Sequence, residues 1–381
     1  MSGGWRDDPE LVALGDHAAR FFEREAPPER IAGWREAGQV ERAFWRQAGE
    51  AGLLGASIPV EYGGAGGDFR HDVVLVEAVG QCGVEGFALS LHNVIILPYV
   101  LAHGTEEQKA RWLPKLCSGE SVAAIAMSEP GAGSDLQSIR TTAIRDGNGY
   151  RINGAKTFIS NGQIADFVIV VAKTDPAQGA KGVSLLVVET GEAEGFRRGK
   201  ALDKVGLDAQ DTSELFFDDV WVPADNLLGT SEGQGFRQLM AELPRERLVI
   251  AVGSVVTMHK ALDVTTEYVK QRQAFGQRVF DFQNTQFKLA ECKAKTEVAR
   301  VYVEDCIARQ IAGTLDLTSA AIAKYWVTDA EWQVVDECLQ LHGGYGYIND
   351  YPIARMWRNA RVQRIYGGSN EIMKMLIARS L

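Results

Sequence analysis

Hydrophobic positions in the first third of the chain recur with the period of an α-helix. Near the N-terminus this spacing is kept by Leu11, Leu14, Ala18 and Phe21. Further along, Thr105-Glu106-Glu107-Gln108 has the form of a capping box, in which side chains satisfy the free N–H groups at a helix start. The pattern predicts an N-terminal helical domain over residues 1–121.

The pattern changes to short strands in the middle of the chain. Residues 121–127 are short and apolar, residues 167–171 and 183–188 are β-branched, and residues 214–222 mix aromatic residues with valines. Asn-Gly pairs predict turns at Asn148-Gly149, Asn153-Gly154 and Asn161-Gly162. We therefore predict a middle β domain, a barrel or a sandwich, over residues 122–230.

Helical periodicity returns and continues to the C-terminus. It is clearest over residues 264–270, 287–311 and 322–341, and it predicts a four-helix bundle over residues 231–381. Helices, strands and helices in separate blocks indicate an α+β fold, since strands and helices alternate in doubly wound folds. The apolar stretches 87–102 and 248–258 are shorter than the ~20 residues of a membrane span, so we expect buried helices.

Composition excludes several classes of function. A formal net charge of -10 argues against general nucleic-acid binding, which requires a basic face. The five cysteines form no Cys-x-x-Cys pair and no two histidines are four residues apart, so we expect neither a disulfide framework nor a bound metal. The N-terminal residues lack the apolar stretch of a signal peptide, which predicts a cytoplasmic protein.

A glycine-rich loop follows the first predicted strand. It reads Met127-Ser128-Glu129-Pro130-Gly131-Ala132-Gly133-Ser134-Asp135 and would present backbone N–H groups and hydroxyls to an anion or a ring. The loop is neither a Gly-x-Gly-x-x-Gly sequence nor a P-loop, and most glycine-rich loops are only turns. Its interpretation as a ligand site therefore depends on other motifs.

Other motifs accompany this loop in order along the chain. They are Phe158-Ile159-Ser160-Asn161-Gly162, Arg272-Gln273-Ala274-Phe275-Gly276 with Gln283, Gln340-Leu341-His342-Gly343-Gly344 and Ile365-Tyr366-Gly367-Gly368-Ser369-Asn370-Glu371. With these motifs the sequence resembles the acyl-CoA dehydrogenase family over essentially its full length. The resemblance implies an oxidoreductase of fatty acid β-oxidation that uses FAD to remove two hydrogens across the Cα–Cβ bond of an acyl-CoA.

The resemblance places one group of residues beside the flavin and the thioester. On the strand and loop these are Ile125, Met127, Ser128, Gly133 and Ser134. Ser128 would face the pyrimidine edge, Phe158 would cover one face of the isoalloxazine, and the Ser160 hydroxyl would reach N5. Considered alone, Phe158 would be interpreted as an ordinary core residue of the β domain.

The resemblance assigns a second group to the FAD pyrophosphate and adenosine of a neighbouring subunit. Its members are Arg272, Phe275, Gln283, Gln340 and Gly344, and we also assign Ser369 and Glu371 to the cofactor. Arginine suits a diphosphate because its fixed fork of donors is bidentate, although a lone arginine is more often a solvated cation at a helix end. This group implies an oligomer, and we expect a homotetramer built as a dimer of dimers.

The catalytic base departs from the commonest family pattern. Many members carry glutamate directly after the tyrosine that matches Tyr366, where this chain has Gly367. A subset resembling the long-chain and isovaleryl-CoA dehydrogenases carries the base before an arginine on another helix, which corresponds here to Glu246. Glu246 is therefore the predicted base. Without the resemblance it would be interpreted as a surface carboxylate paired with Arg245, Arg247 or Arg300.

The implied chemistry gives the remaining site residues their roles. The family pattern implies that the Gly367 N–H and a flavin ribityl hydroxyl stabilise charge on the thioester oxygen. Burial in an apolar pocket should raise the pKa of the base. We expect substrate contacts from Ser134, Met240, Leu243, Arg247, Tyr366 and Gly367. Pocket depth, and hence acyl chain length, should depend on residues near Ser90, Leu91 and Ile95.

Two alternatives stay open at this point. The same fold acts on acyl-carrier-protein thioesters, or as a flavin oxidase or monooxygenase, because one scaffold hosts several chemistries. The missing glutamate at Gly367 also raises the alternative of a catalytically silent acyl-CoA- or flavin-binding protein. For a dehydrogenase, the resemblance implies that electrons pass to an electron-transfer flavoprotein.

Overall fold

Helices form the N-terminal part of the computed structural model, which describes residues 4–381. They are α1 (Pro9–Glu25), α2 (Pro28–Ala37), α3 (Arg42–Glu50), α4 (Phe69–Cys82), α5 (Leu97–His103) and α6 (Glu106–Cys117). A π-helical segment, Ser90–Ile96, leads directly into α5. The predicted capping box is present at the start of α6, where Thr105 and Gln108 each accept a hydrogen bond from the other's backbone N–H.

A seven-stranded mixed sheet follows. Its strands are β1 (Ala123–Ala126), β2 (Thr142–Asp146), β3 (Gly149–Ser160), β4 (Phe167–Lys173), β5 (Val183–Glu189), β6 (Phe196–Ala201) and β7 (Thr212–Pro223). β1 and β2 both pair in parallel with β4, β5 pairs antiparallel with β4, and β3, β7 and β6 extend the sheet beyond β2. Apolar side chains of β4 and β5 alternate between two cores on opposite faces of the sheet.

One predicted turn is wrong. Asn153-Gly154 lies inside β3, where the register against β7 shifts between Ile152 and Gly154. The strand approaches its neighbour closely at this shift, because a Cβ added to Gly154 would lie 2.4 Å from Thr141 Oγ1. The pair therefore forms a bulge, whereas Asn148 lies in the hairpin turn between β2 and β3.

The C-terminal part is again helical. Its elements are α7 (Gly235–Gln271), the short hairpin β8 (Gln273–Ala274) and β9 (Gln277–Arg278), α8 (Gln283–Ile311), α9 (Leu317–Leu341), α10 (Pro352–Ala360) and α11 (Asn370–Ala378). The three long helices α7, α8 and α9 pack on one another, and the short α10 and α11 pack on α9. The predicted α+β fold, with helical regions flanking a separate sheet region, is confirmed.

Helix α7 connects the two helical regions. It packs against α4 as well as α8 and α9, so the N- and C-terminal helices share one hydrophobic core. Among the described residues, α7 is the one helix long and apolar enough to cross a bilayer by length and composition. Because 61% of its apolar window is buried inside the protein, its apolar character is explained by core packing.

Candidate active site

A cavity of about 890 Å³ lies where the sheet meets α4 and α7. From the sheet region it is lined by the predicted residues Ile125, Met127, Ser128, Gly133, Ser134, Phe158 and Ser160. From the helical regions it is lined by Ser90, Leu91, Ile95, Met240, Leu243, Glu246, Arg247, Tyr366 and Gly367. The fold therefore brings residues from all three parts of the chain to one apolar cavity of a size typical for small-molecule sites.

Glu246 is a buried carboxylate on α7 at the wall of this cavity. The residue is 6% exposed, and its Oε1 accepts a hydrogen bond of 2.7 Å from the Tyr99 hydroxyl on α5. Within residues 4–381 no ion pair joins it to any of the three arginines considered from the sequence. The interpretation of Glu246 as a paired surface carboxylate is therefore wrong.

Burial raises the pKa of Glu246 to about 7. Desolvation is the largest cause, and the negative charge of Glu242 acts in the same direction. The hydrogen bond from Tyr99 and the positive charge of Arg247 act in the opposite direction. A carboxylate whose pKa lies near neutrality is well matched to accept a proton in general-base catalysis.

Arg247, the next residue on α7, carries unused hydrogen-bond donors. The residue is buried, and its Nε and Nη1 have no hydrogen-bond partner among the residues that the structure describes. Desolvation lowers its pKa. Because unpaired buried donors are unfavourable, these groups are available to an acceptor on a ligand in the cavity.

Gly367 and Gly368 form a turn at the cavity wall before α11. Their φ values are 65° and 90°, in the left-handed region that favours glycine. The buried Lys324 of α9 donates from Nζ to the Gly368 carbonyl at 2.7 Å and to Asn370 Oδ1 at 2.9 Å. This ammonium group fixes the turn that carries the Gly367 N–H.

The backbone at Gly367 leaves little room for a side chain. A Cβ added there would lie 2.5 Å from Cδ1 of Ile250, which stands one turn after Glu246 on α7. The terminal methyl group of Ile250 would therefore have to shift to admit a side chain at residue 367. Together with the positive φ, this contact makes glycine the compatible residue at this position.

Phe158 is held out of the sheet by a second bulge in β3. Its φ is 60°, the register against β7 shifts between Lys156 and Ile159, and the residue is 69% exposed. The interpretation of Phe158 as a core residue is therefore wrong. An outward aromatic ring with the Ser160 hydroxyl on the same cavity wall fits one face and one polar edge of an isoalloxazine ring, so the residues present are compatible with FAD.

A buried ion pair supports the glycine-rich loop. Glu129 pairs with Lys156 of β3 at 2.9 Å and accepts hydrogen bonds from the backbone N–H groups of Arg140 and Thr141. Lys156 also donates to the Met127 carbonyl at 3.0 Å. These contacts tie both ends of the loop to the sheet, which holds Ser128, Gly133 and Ser134 against the cavity.

Arg272, which is assigned to a neighbouring subunit's FAD, lies far from the cavity. Arg272 follows the last residue of α7, and the 26 positions from Glu246 span about 39 Å along the helix. Arg272 and Gly344 line a separate cleft of about 530 Å³ beside Tyr345. The described residues of the chain offer Arg272 no ion pair, and Phe275 at the hairpin tip is 97% exposed with a φ of 53°.

The other residues predicted to bind the cofactor from a neighbouring subunit, or assigned to it near the C-terminus, lie at different places in the helical region. Gln283 begins α8 and Gln340 lies near the end of α9, and both are exposed. Ser369 and Glu371 line neither of the two cavities. Ser369 instead caps α11, where its hydroxyl accepts from the Ile372 N–H at 3.4 Å. Within one chain, therefore, the two predicted cofactor groups do not meet.

Three residues that organise the site were not singled out from the sequence. They are Tyr99, Glu129 and Lys324. Tyr99 lies in an apolar run that predicts only burial, and its partner Glu246 is 147 residues away. Lys324 and Glu129 are charged residues whose burial becomes visible only with the packing of the helices and the loop.

Models of three domains of one family match successive parts of the chain. The N-terminal domain of acyl-CoA dehydrogenase matches residues 8–120, the middle domain matches residues 124–220, and the C-terminal domain matches residues 233–381. Every residue that lines the cavity beside Glu246 falls within one of these matches.

Individual proteins are also similar to this chain over most of its length. The chain is 47% identical over 364 residues to the mitochondrial long-chain specific acyl-CoA dehydrogenase of Sus scrofa, which covers 95% of this chain and 84% of the relative. A crystal structure of an acyl-CoA dehydrogenase from Geobacillus kaustophilus superposes with a TM-score of 0.96 at 46% identity, covering 100% and 99% of the two chains. The prolyl acyl carrier protein oxidase AnaB superposes with a TM-score of 0.91 at 30% identity, covering 98% and 99%.

The exposed arginine of the second cleft provides a test of cofactor binding. We expect Arg272→Ala to lose bound FAD, because charge-assisted hydrogen bonds to a pyrophosphate are among the strongest available. Arg278 lies on the same hairpin but already pairs with Asp281, so Arg278→Ala is the matched control and should keep the flavin. The flavin-to-protein absorbance ratio after gel filtration measures both. Full flavin occupancy in Arg272→Ala, or a monomer that keeps FAD, would contradict the assignment.

Proposed function

The chain belongs to the acyl-CoA dehydrogenase family and is an FAD-dependent oxidoreductase, and we propose that it converts an acyl-CoA to the trans-2-enoyl-CoA with Glu246 as the base. The observation that carries this proposal is the position of Glu246. It is a buried carboxylate with a pKa raised to about 7, on the same cavity wall as the Gly367 turn.

Glu246 has the geometry that proton abstraction requires. Tyr99 occupies one carboxylate oxygen, which leaves the other available to an α-proton of the thioester. The carboxylate is buried and the cavity beside it is mostly apolar, so a bound acyl chain would displace water from the site and reduce solvent screening. In this cavity a weakly acidic α-proton meets a base that is desolvated but still ionises near neutral pH.

The negative charge that develops on the thioester oxygen needs a donor, and the Gly367 N–H is the candidate. Lys324 holds the turn that carries this N–H, so the donor is fixed before substrate binds. FAD, when bound beside Phe158 and Ser160, supplies the acceptor for the β-hydrogen as hydride. Arg247, with its unused donors, is placed to contact the substrate from α7.

A second buried carboxylate lines the cavity but is less suited to be the base. Glu331 on α9 accepts a hydrogen bond of 2.7 Å from Ser254, and burial raises its pKa to about 8. Its pKa is raised further than that of Glu246, so a smaller fraction of Glu331 is ionised at neutral pH. Glu331 provides a matched control for tests of Glu246.

The length of the cavity along α7 favours a long acyl chain. From Glu246 onward, six lining residues of α7 follow one stripe of the helix, namely Glu246, Val249, Ile250, Gly253, Thr257 and Lys260. The 14 positions from Glu246 to Lys260 span about 21 Å. With C–C bonds of about 1.5 Å an extended hydrocarbon advances about 1.3 Å per carbon, so this length accommodates roughly 16 carbons. We propose a long-chain acyl-CoA as substrate, as the name of the Sus scrofa relative also suggests.

Two features of the C-terminal part, at Arg272 and at Phe275, bear on assembly with other subunits. We propose that Arg272, with the other residues assigned to a neighbouring subunit's FAD, completes that FAD site in a homotetramer, because Arg272 has no ion pair among the described residues and is about 39 Å from Glu246 along α7. The exposed Phe275, held at a positive φ, is suited to insertion into a partner. We further propose an electron-transfer flavoprotein as electron acceptor and a cytoplasmic location.

An acyl-carrier-protein oxidase is the second candidate, since AnaB shares the fold. The higher identity to the Sus scrofa enzyme favours acyl-CoA dehydrogenation. Anaerobic bleaching of the flavin by acyl-CoA, followed by slow reoxidation in air, is the expected behaviour of a dehydrogenase. Rapid reoxidation in air, or bleaching only by a carrier-protein thioester, would favour the oxidase.

Removal of the carboxylate tests the base. We expect Glu246→Gln to fold, keep FAD and bind acyl-CoA, yet to reduce its flavin at least ~10² to 10⁴ times more slowly, since the amide keeps the shape but accepts no proton. Stopped-flow absorbance of the flavin under anaerobic conditions measures this step. Glu331→Gln should reduce its flavin at close to the normal rate. If Glu246→Gln does so as well, Glu246 is not the base.

Transfer of the carboxylate to residue 367 tests the geometry of the site. Glu246→Gly with Gly367→Glu should recover little activity, because the new side chain meets Ile250 and needs a strained backbone. Adding Ile250→Ala removes the contact, and we expect flavin reduction to rise by roughly tenfold or more, still below the native rate because a ~1 Å misplacement costs ~10²-fold. Glu246→Gly with Ile250→Ala is the control and should stay inactive. No gain from Ile250→Ala would show that residue 367 does not point at the same proton.

Gly253 provides a test of chain length. A Cβ added there meets no atom within 4 Å, although glycine in a helix interior is less stable than alanine by about 1 kcal/mol. We expect Gly253→Leu to lower kcat/KM for the longest acyl-CoAs by roughly 10- to 100-fold, the effect of about 1–3 kcal/mol of overpacking, and to spare short ones. Gly33→Leu, at an exposed position of α2 with equal space, should leave the profile unchanged. An unchanged profile in Gly253→Leu would contradict the path along α7.

A further inference from the structure

Tyr99 lies opposite Glu246 and forms one of two side-chain contacts between α5 and α7. The Tyr99 ring is fully buried, and its hydroxyl lies 2.7 Å from Glu246 Oε1. One turn later on α5 and one turn earlier on α7, His103 Nε2 lies 3.2 Å from a Glu242 carboxylate oxygen. Residues 99 and 103 of α5 thus face residues 246 and 242 of α7, which fixes the two helices in antiparallel register.

We propose that Tyr99 is a positioning residue for the base, whose hydroxyl holds one oxygen of Glu246 so that the other faces the α-carbon of the substrate. This inference rests on the proposed role of Glu246. A glutamate side chain has three rotatable bonds, and the cavity beside it is large enough to admit other rotamers. A hydrogen bond from a rigid, buried ring selects one of them before substrate arrives.

The same hydrogen bond affects ionisation. A hydroxyl that donates to a carboxylate stabilises the charged form, so Tyr99 lowers the pKa of Glu246 against the dominant effect of desolvation. Glu242 has the opposite effect because its negative charge disfavours a second one nearby. The groups that act on the pKa of Glu246 are Tyr99, Glu242 and Arg247, and His103 faces Glu242. The elements packed against α7 also carry Asp72 on α4 and Lys324 and Glu331 on α9, and α7 itself carries Arg245.

The sign of the pH effect follows from the role of the base. Glu246 must be ionised to accept a proton, so the rate of flavin reduction rises as pH increases through its pKa. Loss of the Tyr99 hydroxyl raises that pKa and moves the profile to higher pH. Neutralisation of Glu242 lowers the pKa and moves the profile to lower pH. General damage to the α5–α7 contact would not move the two profiles in opposite directions.

The experiment compares Tyr99→Phe and Glu242→Gln in anaerobic stopped-flow reduction of the FAD-loaded enzyme by acyl-CoA across pH. We expect the midpoint for Tyr99→Phe to rise by on the order of one pH unit, which makes reduction roughly tenfold slower below the native midpoint. The midpoint for Glu242→Gln should fall. Binding of acyl-CoA should change little in either variant.

Two controls keep the test decisive. Tyr302→Phe on α8 removes a tyrosine hydrogen bond to the Ser319 carbonyl away from the cavity, and it should not move the profile. If Tyr99→Phe does not retain FAD, 3-fluorotyrosine at residue 99 keeps the ring and makes the hydroxyl a stronger donor, which should lower the midpoint.

The outcomes separate this inference from the proposed function. An unmoved midpoint in Tyr99→Phe, with only thermal stability reduced, would assign Tyr99 a structural role and overturn the inference. If Glu246→Gln is inactive while Tyr99→Phe behaves as the native enzyme, the base assignment survives and only the role of Tyr99 fails. If Glu246→Gln reduces its flavin normally, the proposed function itself fails.

Discussion

The desolvation of one carboxylate is the constraint on which the site depends. A charge taken out of water is unfavourable unless it is paired, yet within residues 4–381 Glu246 has no cationic partner in hydrogen-bond contact and accepts a hydrogen bond from the neutral hydroxyl of Tyr99. This balance places the pKa of Glu246 near neutrality. A direct arginine pair would lower the pKa and weaken the base, whereas the absence of any donor would leave it protonated.

Helix α7 connects this carboxylate to the rest of the fold. Its 37 residues carry the base, one wall of the acyl cavity and, just beyond its last turn, Arg272. Pro244 lies two residues before Glu246 and leaves the Met240 carbonyl without its usual intrahelical donor, although the helix continues through this position. Packing of α7 against α4, α8 and α9 keeps the remaining turns rigid. The site is therefore placed by a core element and not by a mobile loop.

Much of this arrangement could be predicted from the sequence, since its signals are local. Periodicity predicted the helical and sheet regions, and motif order identified the residues that meet at the cavity. Asn153-Gly154 was mispredicted because an Asn-Gly pair at a bulge has the same sequence signal as one in a turn. The roles of Tyr99 and Lys324 could not be predicted, because each depends on a partner brought close only by helix packing.

The relation between Glu246 and Gly367 follows from the same packing. The Gly367 turn and the first turns of α7 border one cavity, so a carboxylate from either element lies near the same space. In this chain the terminal methyl group of Ile250 lies where the Cβ of a residue-367 side chain would begin, and the positive φ of Gly367 suits glycine. Lys324 meanwhile binds the turn through a backbone carbonyl, an interaction that does not depend on the residue-367 side chain. The turn can thus keep its N–H in place while the base is supplied by α7, which separates the donor to the thioester oxygen from the acceptor of the α-proton.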